Sequence, residues 1–145
     1  MNDDDVKQYR ESNAETWTKL VRAGYDVYRD EINTPAFLAM LDDVAGRRGL
    51  DLGCGEGHNT RLLARRGAKM SAVDIASTFV ARAQERELED RLGIDYHESS
   101  AADVPFDDLS FDFVTAFMSL MDMPRAERAV AEAWRVQTPA SSPTS

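Results

Sequence analysis

Short apolar runs alternate with amphipathic stretches from residue 49 onward. The runs at 49–52, 69–73, 94–97 and 111–117 predict four β-strands, and the last of them is the richest in aromatic and β-branched residues. Strands that alternate with helices are typical of a parallel sheet with crossover connections. The expected fold class is therefore α/β.

Three helices are predicted among and after these strands. The first spans about residues 59–66, the second is capped by Ser77 and ended by Gly93, and the third opens at Pro124. The third helix carries apolar residues at i, i+3, i+4, i+7 and i+8, a stripe that is expected to pack on the sheet. These residues are Ala126, Ala129, Val130, Ala133 and Trp134.

Two further helices are predicted ahead of the first strand. Ser12 and Glu15 have the spacing of a capping box, and Thr34 followed by Pro35 has the pattern of a second helix start. The final residues are Ser, Thr, Pro and Ala without periodicity, which indicates a disordered tail. The predicted organisation is a helical cap over residues 1–45, an α/β domain over 46–137 and a tail over 138–145.

Composition and charge limit the possible functions. The 145 residues include 26 acidic and 17 basic side chains, for a net charge of -9, which argues against binding along a nucleic-acid backbone. No apolar window approaches the roughly 20 residues of a membrane helix, and acidic residues stand at positions 3–5, where a signal peptide carries positive charge. With Cys54 as the single cysteine, we expect a soluble cytoplasmic protein without a disulfide.

A glycine-rich turn between the first strand and the next helix carries the most specific pattern. Residues 51–57 read Asp-Leu-Gly-Cys-Gly-Glu-Gly, and glycines at such a turn let backbone groups approach a ligand closely. The dinucleotide pattern G-x-G-x-x-G would place its third glycine at position 58, which is His58 here. This spacing disfavours a nicotinamide-dependent oxidoreductase.

Asp74 ends the second predicted strand, 21 residues after Gly53. A carboxylate at this position lies at the carboxyl edge of the sheet near the glycine turn, where it can accept hydrogen bonds from both hydroxyls of a ribose. The turn and Asp74 together indicate a ligand that contains a nucleoside.

These residues resemble the class I S-adenosylmethionine-dependent methyltransferases, over residues 49–136. Four segments are similar to the family's motifs and stand in the same order: the acidic-x-G-x-G-x-G turn, Asp74, an "LPF…FD-x-V" segment and an "E-x-x-R-V" segment. In this chain they are residues 51–57, Val73-Asp74-Ile75, Val104-Pro105-Phe106 with Phe111-Asp112-Phe113-Val114, and residues 132–136.

The resemblance implies a Rossmann-like sheet of about four strands in the order 3-2-1-4, S-adenosylmethionine as cofactor and a small-molecule methyl acceptor. It implies that the turn holds the methionine portion of the cofactor, that Asp74 holds the ribose, and that Ile75, Ser100 and Ala101 lie against the adenine. The expected cofactor-binding set is Asp51, Gly53, Cys54, Gly55, Gly57, Asp74, Ile75, Ser100, Ala101 and Phe117. No metal site is predicted, and no catalytic residue is assigned.

Several alternatives stay open. Cys54 could simply fill the turn, and His58 could either face the cofactor or lie exposed. Ser119 and Asp122 fall where the family's active-site loop lies, although Asp122 could instead cap the last helix; Met118, Met121 and Met123 could line a substrate pocket or the core. By analogy with the family, Tyr25, Tyr28 and the N-terminal helices are candidates for a lid.

Two departures from the family pattern support a second hypothesis. Ser100 stands where the family often has Asp, and after Val136 the family's Leu-Lys-Pro-Gly-Gly is replaced by Gln-Thr-Pro-Ala-Ser. The family's remaining three strands are absent, which indicates a truncated domain. The alternative is therefore a catalytically inactive remnant that binds cofactor or self-associates, with a homodimer formed through the unpaired strand 111–117.

Overall fold

The computed structural model describes residues 43–116 and 125–138 of the chain, together with positions 4, 5, 7, 8, 11, 14, 15, 18 and 41. Within them, four parallel strands form one sheet in the order β3-β2-β1-β4. The strands are β1 (Arg48–Leu52), β2 (Lys69–Asp74), β3 (Asp95–Glu98) and β4 (Phe113–Thr115). The predicted α/β class and the strand order 3-2-1-4 are confirmed.

Within residues 43–116 and 125–138, three helices flank the sheet: α1 (His58–Arg65), α2 (Ser77–Glu89) and α3 (Ala126–Val136). Each of them lies within about two residues of its predicted start. Gly67 allows the sharp exit from α1, because its φ of +96° is a conformation that other residues rarely adopt. Gly67 also lies so close to Ala45 that a Cβ would stand 3.2 Å from it.

Two large parts of the hydrophobic core lie on opposite faces of the sheet. Successive side chains of β2 point to opposite faces, so Met70 and Ala72 belong to one part and Val73 belongs to the other. The first part includes Leu63 of α1 and Val80 of α2. The second part includes Val136 of α3. Both faces of the central strands are therefore covered, as their continuous apolar runs require.

The fourth strand is shorter than the predicted 111–117. Phe111 forms a parallel bridge with Gln137 instead, since its N–H donates to Val136 and its C=O accepts from Thr138. The next residue, Asp112, donates its N–H to Arg48 at the start of β1, 2.7 Å away. The backbone of residues 111–112 thus bonds first to the segment after α3 and then to β1. Phe117 lies outside the described residues.

The predicted apolar stripe of α3 is wrong for two of its members. Val130 is 44% exposed and Trp134 is 76% exposed, although Ala129 is buried. The buried face instead runs from Ala129 through Glu132 to Val136, positions that share one side of a helix. The helix takes this orientation because the Glu132 side chain bonds to the loop after β3.

The N-terminal segment is helical at its described positions and packs on α2. Ala14 is fully buried in a small apolar cluster with Ala76 and Phe79. The Glu11 carboxylate accepts hydrogen bonds from the Ser77 hydroxyl (2.8 Å) and from the Thr78 N–H (2.9 Å). The predicted cap of α2 by Ser77 is therefore wrong. The N-cap residue is Ala76, which has no capping side chain, and Glu11 bonds to the first turn from a distant part of the sequence.

Several other predictions concern residues that the structure does not describe. Tyr25, Tyr28 and the helix start at Thr34 lie outside the described residues, as do Met118, Ser119 and the other candidate residues of the loop that follows β4. Among the described residues, the structure has no helix with the length and apolar character needed to cross a membrane. It also has no group of three or more metal-ligating side chains there.

Candidate cofactor-binding site

The glycine turn directly follows β1 at the carboxyl edge of the sheet. Gly53, Gly55 and Gly57 have φ angles of +69°, +59° and +94°. The N–H groups of Gly53 and Cys54 both donate to the carbonyl of Val73, at 2.9 and 3.0 Å. The turn is therefore held over the end of β2 in a conformation that requires glycine.

Two glycines of the turn have different surroundings. A Cβ on Gly57 would lie 2.5 Å from the Tyr96 hydroxyl oxygen, so this glycine is required for packing inside the protein. A Cβ on Gly55 would meet no atom within 4 Å. Gly55 therefore presents its backbone to open space, where a ligand can come close.

Asp74 lies in the middle of the site and is 1% exposed. Its Oδ2 accepts the N–H of Gly55 at 2.9 Å, and its Oδ1 accepts the N–H of Ala76 at 2.9 Å. The carbonyl of Asp74 also accepts the N–H of Ser99, which follows β3. Asp74 thus joins the glycine turn, the start of α2 and the end of β3, and the predicted proximity of Asp74 to the turn is present in the structure.

Asp51 is a second buried carboxyl group, on the other side of the turn. It accepts hydrogen bonds from the hydroxyls of Thr60 on α1 (2.6 Å) and Thr115 on β4 (3.1 Å). Burial raises the pKa of Asp51 to about 6; the two hydroxyl bonds oppose this rise, and the nearby charge of Asp74 adds to it. Asp51 therefore links β1 to its neighbouring elements from within the protein, where it is 4% exposed.

A buried ion pair supports the second half of the turn. The Glu56 and Arg61 side chains are 3% and 8% exposed and approach to 2.9 Å, and Arg61 also donates to the Glu56 carbonyl at 2.7 Å. Sequence reasoning missed this pair. Arg61 stands two residues before Leu63, a spacing that places the two side chains on different sides of the helix, so the apolar pattern gives no signal of its burial.

The residues assigned to the adenine follow β2 and β3. Ile75 is half-buried beside Asp74. Ser100 and Ala101 lie in a turn, where the Ser100 hydroxyl accepts the N–H of Ala102 at 3.2 Å and the Ser100 carbonyl accepts the N–H of Asp103 at 3.1 Å. The half-buried Cys54 directs its thiol to the carbonyl of Gly55 at 3.5 Å. The structure thus brings Ile75 and the Ser100 turn to the same edge as Asp74.

Two of the recognised motifs lie away from the turn and hold elements together. Asp112 accepts hydrogen bonds from the N–H and the guanidinium of Arg48, at 2.8 and 3.3 Å, at the start of β1. Glu132 and Arg135 bind each other and the loop after β3. His97 pairs with Asp95 at 2.8 Å.

A sequence profile described as "Methyltransferase domain" matches residues 50–141, which include the end of β1, the glycine turn and α3. The chain belongs to the methyltransferase-domain family. The match begins within β1 and includes every described residue of the candidate site, so the geometry above is that of a methyltransferase domain.

Known proteins similar to this methyltransferase domain are longer than the chain. A ubiquinone biosynthesis O-methyltransferase of Xanthomonas oryzae is 39% identical over 83 residues, which are 57% of this chain and 35% of that protein. A crystal structure of the [4+2]-cyclase SpnF is 30% identical with a TM-score of 0.68, and the match covers 73% of this chain and 40% of that one.

A further similar structure contains a ligand. Phosphoethanolamine N-methyltransferase 2 of Haemonchus contortus, solved with S-adenosylhomocysteine and phosphomonomethylethanolamine, is 26% identical with a TM-score of 0.68. The match covers 73% of this chain and 25% of that protein. The present methyltransferase domain therefore corresponds to a minority of the length of each relative.

Proposed function

We propose that this methyltransferase domain binds S-adenosylmethionine at the carboxyl edge of its sheet and serves methyl transfer to a small-molecule acceptor. The contact between the Gly55 N–H and the Asp74 carboxylate carries the proposal. This contact joins a turn whose backbone is open to a ligand with a buried carboxylate. A cofactor that consists of a nucleoside linked to an amino acid requires both features, the turn for the amino acid and the carboxylate for the ribose.

The described residues fit this cofactor. The space beside Gly55 accommodates a ligand against the backbone of the turn, since no atom lies within 4 Å of a Cβ placed there. The Asp74 carboxylate would accept the ribose hydroxyls, since a carboxylate can accept several hydrogen bonds at once, and Ile75 with the Ser100–Ala101 turn would border the adenine. Phe117 belongs to the proposed set by its resemblance to the family alone.

The relatives support the cofactor more directly than they support the reaction. One similar structure contains S-adenosylhomocysteine, the product that remains after methyl transfer. Another neighbour, at 30% identity, is named as a cyclase, so this fold also serves other chemistry. Methyl transfer by this chain therefore needs its own test.

The cofactor, when bound, supplies a methyl group on a sulfonium, which an acceptor attacks in line. The protein then has to orient the two reactants and exclude water, for which no dedicated base is needed when the acceptor is already nucleophilic. A small acceptor is favoured because the net charge of -9 does not suit nucleic acid. We also propose a cytoplasmic location, since a single cysteine suits a reducing compartment.

Calorimetric titration of the chain with S-adenosylmethionine, S-adenosylhomocysteine and NAD tests the proposal. We expect micromolar affinity for the adenosyl compounds and none for NAD. Asp74→Asn should weaken this binding about tenfold or more, because it removes a charged acceptor for the ribose hydroxyls. The control is Asp107→Asn, which neutralises an exposed aspartate. A folded chain that binds neither adenosyl compound contradicts the proposal.

A second candidate function is self-association through the outer edge of β4. A groove of about 310 Å³ lies between β4 and α3, lined by Leu52, Val114, Ala116, Ala129, Val130, Ala133, Trp134 and Gln137. Among the described residues, β4 has a strand neighbour on one side only, and Trp134 beside it is 76% exposed. Light scattering tests this candidate: a dimer that Trp134→Ser dissociates supports it, and a monomer at high concentration contradicts it.

A further inference from the structure

Glu132 and Arg135 form an ion pair one turn apart on α3. Arg135 donates to both carboxylate oxygens of Glu132, at 2.7 and 2.9 Å, which is the side-on geometry of a strong pair. The Glu132 side chain is 14% exposed and that of Arg135 is 33% exposed. The pair is thus partly shielded and faces the loop after β3.

This pair binds both main-chain polar groups of one distant residue, Val104. The Glu132 carboxylate accepts the Val104 N–H at 2.9 Å, and the Arg135 guanidinium donates to the Val104 carbonyl at 3.3 Å. Arg135 also donates to Asp108 at 2.8 Å. The Val104 side chain is 4% exposed in the core part that includes Val136. Val104 is therefore fixed by its backbone and by its side chain.

Val104 directly follows the turn that contains Ser100 and Ala101. At the other end of this turn, the Ser99 N–H donates to the Asp74 carbonyl at 3.0 Å. The Ser99 hydroxyl also donates to the Asp103 carbonyl at 3.1 Å, which closes the turn internally. The turn is therefore attached to β2 on one side and to α3 on the other.

We propose that Glu132 and Arg135 are positioning residues. They hold the Ser100–Ala101 turn in the position in which it contacts the edge of the cofactor's adenine. The inference rests on the proposed function, because it assigns the adenine to this turn. Neither side chain needs to contact the cofactor. Both act through the backbone of Val104, three residues from Ala101.

The test compares two ligands that differ only at the adenine edge, S-adenosylhomocysteine and S-inosylhomocysteine. The wild-type chain should prefer the adenosyl compound about tenfold, the value of one well-formed hydrogen bond. Glu132→Leu removes the acceptor for the Val104 N–H, and we expect the preference to fall to within about twofold. A general loss of folded protein lowers both affinities equally and leaves their ratio unchanged.

Three further variants make the test specific. Glu127→Leu makes the same substitution at an exposed position of the same helix and should keep the wild-type preference. Glu132→Gln retains an acceptor oxygen and should retain part of the preference. Arg135→Lys keeps the charge but loses the planar fork of the guanidinium, so it should lower the preference for the adenosyl compound. This variant provides the test if Glu132→Leu does not fold.

The outcomes separate the two proposals. Absence of S-adenosylhomocysteine binding by the folded wild-type chain overturns the proposed function. Equal wild-type affinities for the two ligands, or a preference that survives in Glu132→Leu and Arg135→Lys, overturns the positioning role alone. A preference lost in both variants and kept in Glu127→Leu supports it.

Discussion

Gly55 and Gly57 share a left-handed conformation but serve different needs. Gly57 lies against the Tyr96 hydroxyl, whereas the position of a Cβ on Gly55 is open. A backbone that needs glycine for packing should be intolerant of substitution in the absence of ligand. Where glycine is needed for ligand approach, substitution should cost ligand affinity in addition to the conformational strain.

Alanine at these two positions should therefore separate stability from binding. Gly57→Ala should lower the free energy of unfolding by about 2 kcal/mol or more, because it combines a strained φ with an overlap with Tyr96. Gly55→Ala carries only the conformational cost of roughly 1 kcal/mol, but it should reduce cofactor affinity at least tenfold. Urea unfolding and calorimetry measure the two effects, and equal stability losses in both variants would contradict the distinction.

Asp51 makes the free energy of unfolding depend on pH, in a direction that follows from its raised pKa. Burial raises its pKa from 3.8 to about 6, so the folded state retains the proton after the unfolded chain has lost it. Its contribution to stability is complete below the ordinary pKa and is lost as the pH rises through about 6. At neutral pH the protein has to hold this buried group as an anion.

We therefore expect Asp51→Asn to become relatively more stable as the pH rises. The difference in unfolding free energy between variant and wild type should move in favour of the variant by about 2 kcal/mol between pH 4 and pH 7. Asn retains an acceptor for Thr60 and a donor for Thr115, so the packing is preserved. Urea unfolding across this range checks the expectation, and a difference that is independent of pH would refute it.

Helix α3 shows that an apolar pattern does not fix the rotation of a helix. Its apolar stripe predicts that Val130 and Trp134 are buried against the sheet, yet they are exposed and Ala129 and Val136 are buried. The hydrogen bonds of Glu132 to Val104 and of Arg135 to Glu132 and Asp108 require this rotation. Polar contacts thus decide which of two partly apolar faces is buried.

Two valine-to-alanine substitutions on α3 test this rotation. Val136 is fully buried, so Val136→Ala should cost about 1 to 2 kcal/mol of unfolding free energy through lost burial and a small cavity. Val130 is 44% exposed, so Val130→Ala should change stability by about 0.5 kcal/mol or less. Thermal and urea unfolding compare the two, and the opposite order would support the rotation that the stripe predicts.

Described positions of the N-terminal segment contact the sheet domain near the candidate site. Glu11 binds the first turn of α2 directly after the residues assigned to ribose and adenine, and Lys7 pairs with Glu98 at the end of β3. Burial raises the pKa of Glu11, but hydrogen bonds from Thr78 and Ser77 outweigh it and leave the pKa lowered. The contribution of Glu11 to stability is therefore lost as the pH falls through this lowered pKa.

Glu11→Ala should weaken the start of α2 by about 1 kcal/mol, the value of a typical helix cap. Hydrogen exchange of the Thr78 amide measures the loss directly, since this N–H donates to Glu11. Glu15→Ala is the matched control, because Glu15 pairs with Arg82 on the surface. Unchanged exchange at Thr78 in Glu11→Ala would show that the first turn of α2 does not depend on this contact.

Much of the sheet follows from local pattern. The apolar runs at β1 and β2 require burial on both faces whatever their neighbours are, and the intervening helical pattern requires parallel crossovers. The glycine turn and Asp74 are likewise predictable, because their backbone conformation and their position at a strand end are local properties. The domain boundary predicted near residue 45 stays a prediction.

The polar network of the site could not be predicted in this way. Asp51 and Thr115 are 64 positions apart, and Glu132 is 28 positions from Val104. The Glu56–Arg61 pair is nearer in sequence but is buried only because α1 packs against the sheet. Such contacts depend on how the strands are ordered and how each helix is rotated.

The sequence by itself thus determined which segments are strands, where the chain must turn at glycine and which acid ends β2, because hydrophobic periodicity and backbone conformation are properties of neighbouring residues. The tertiary structure alone decided which polar groups meet, that Glu11 caps α2 and that α3 turns Glu132 towards Val104 and leaves Trp134 exposed. Hydrogen bonds are short and directional, so their partners are fixed only when distant elements are packed together.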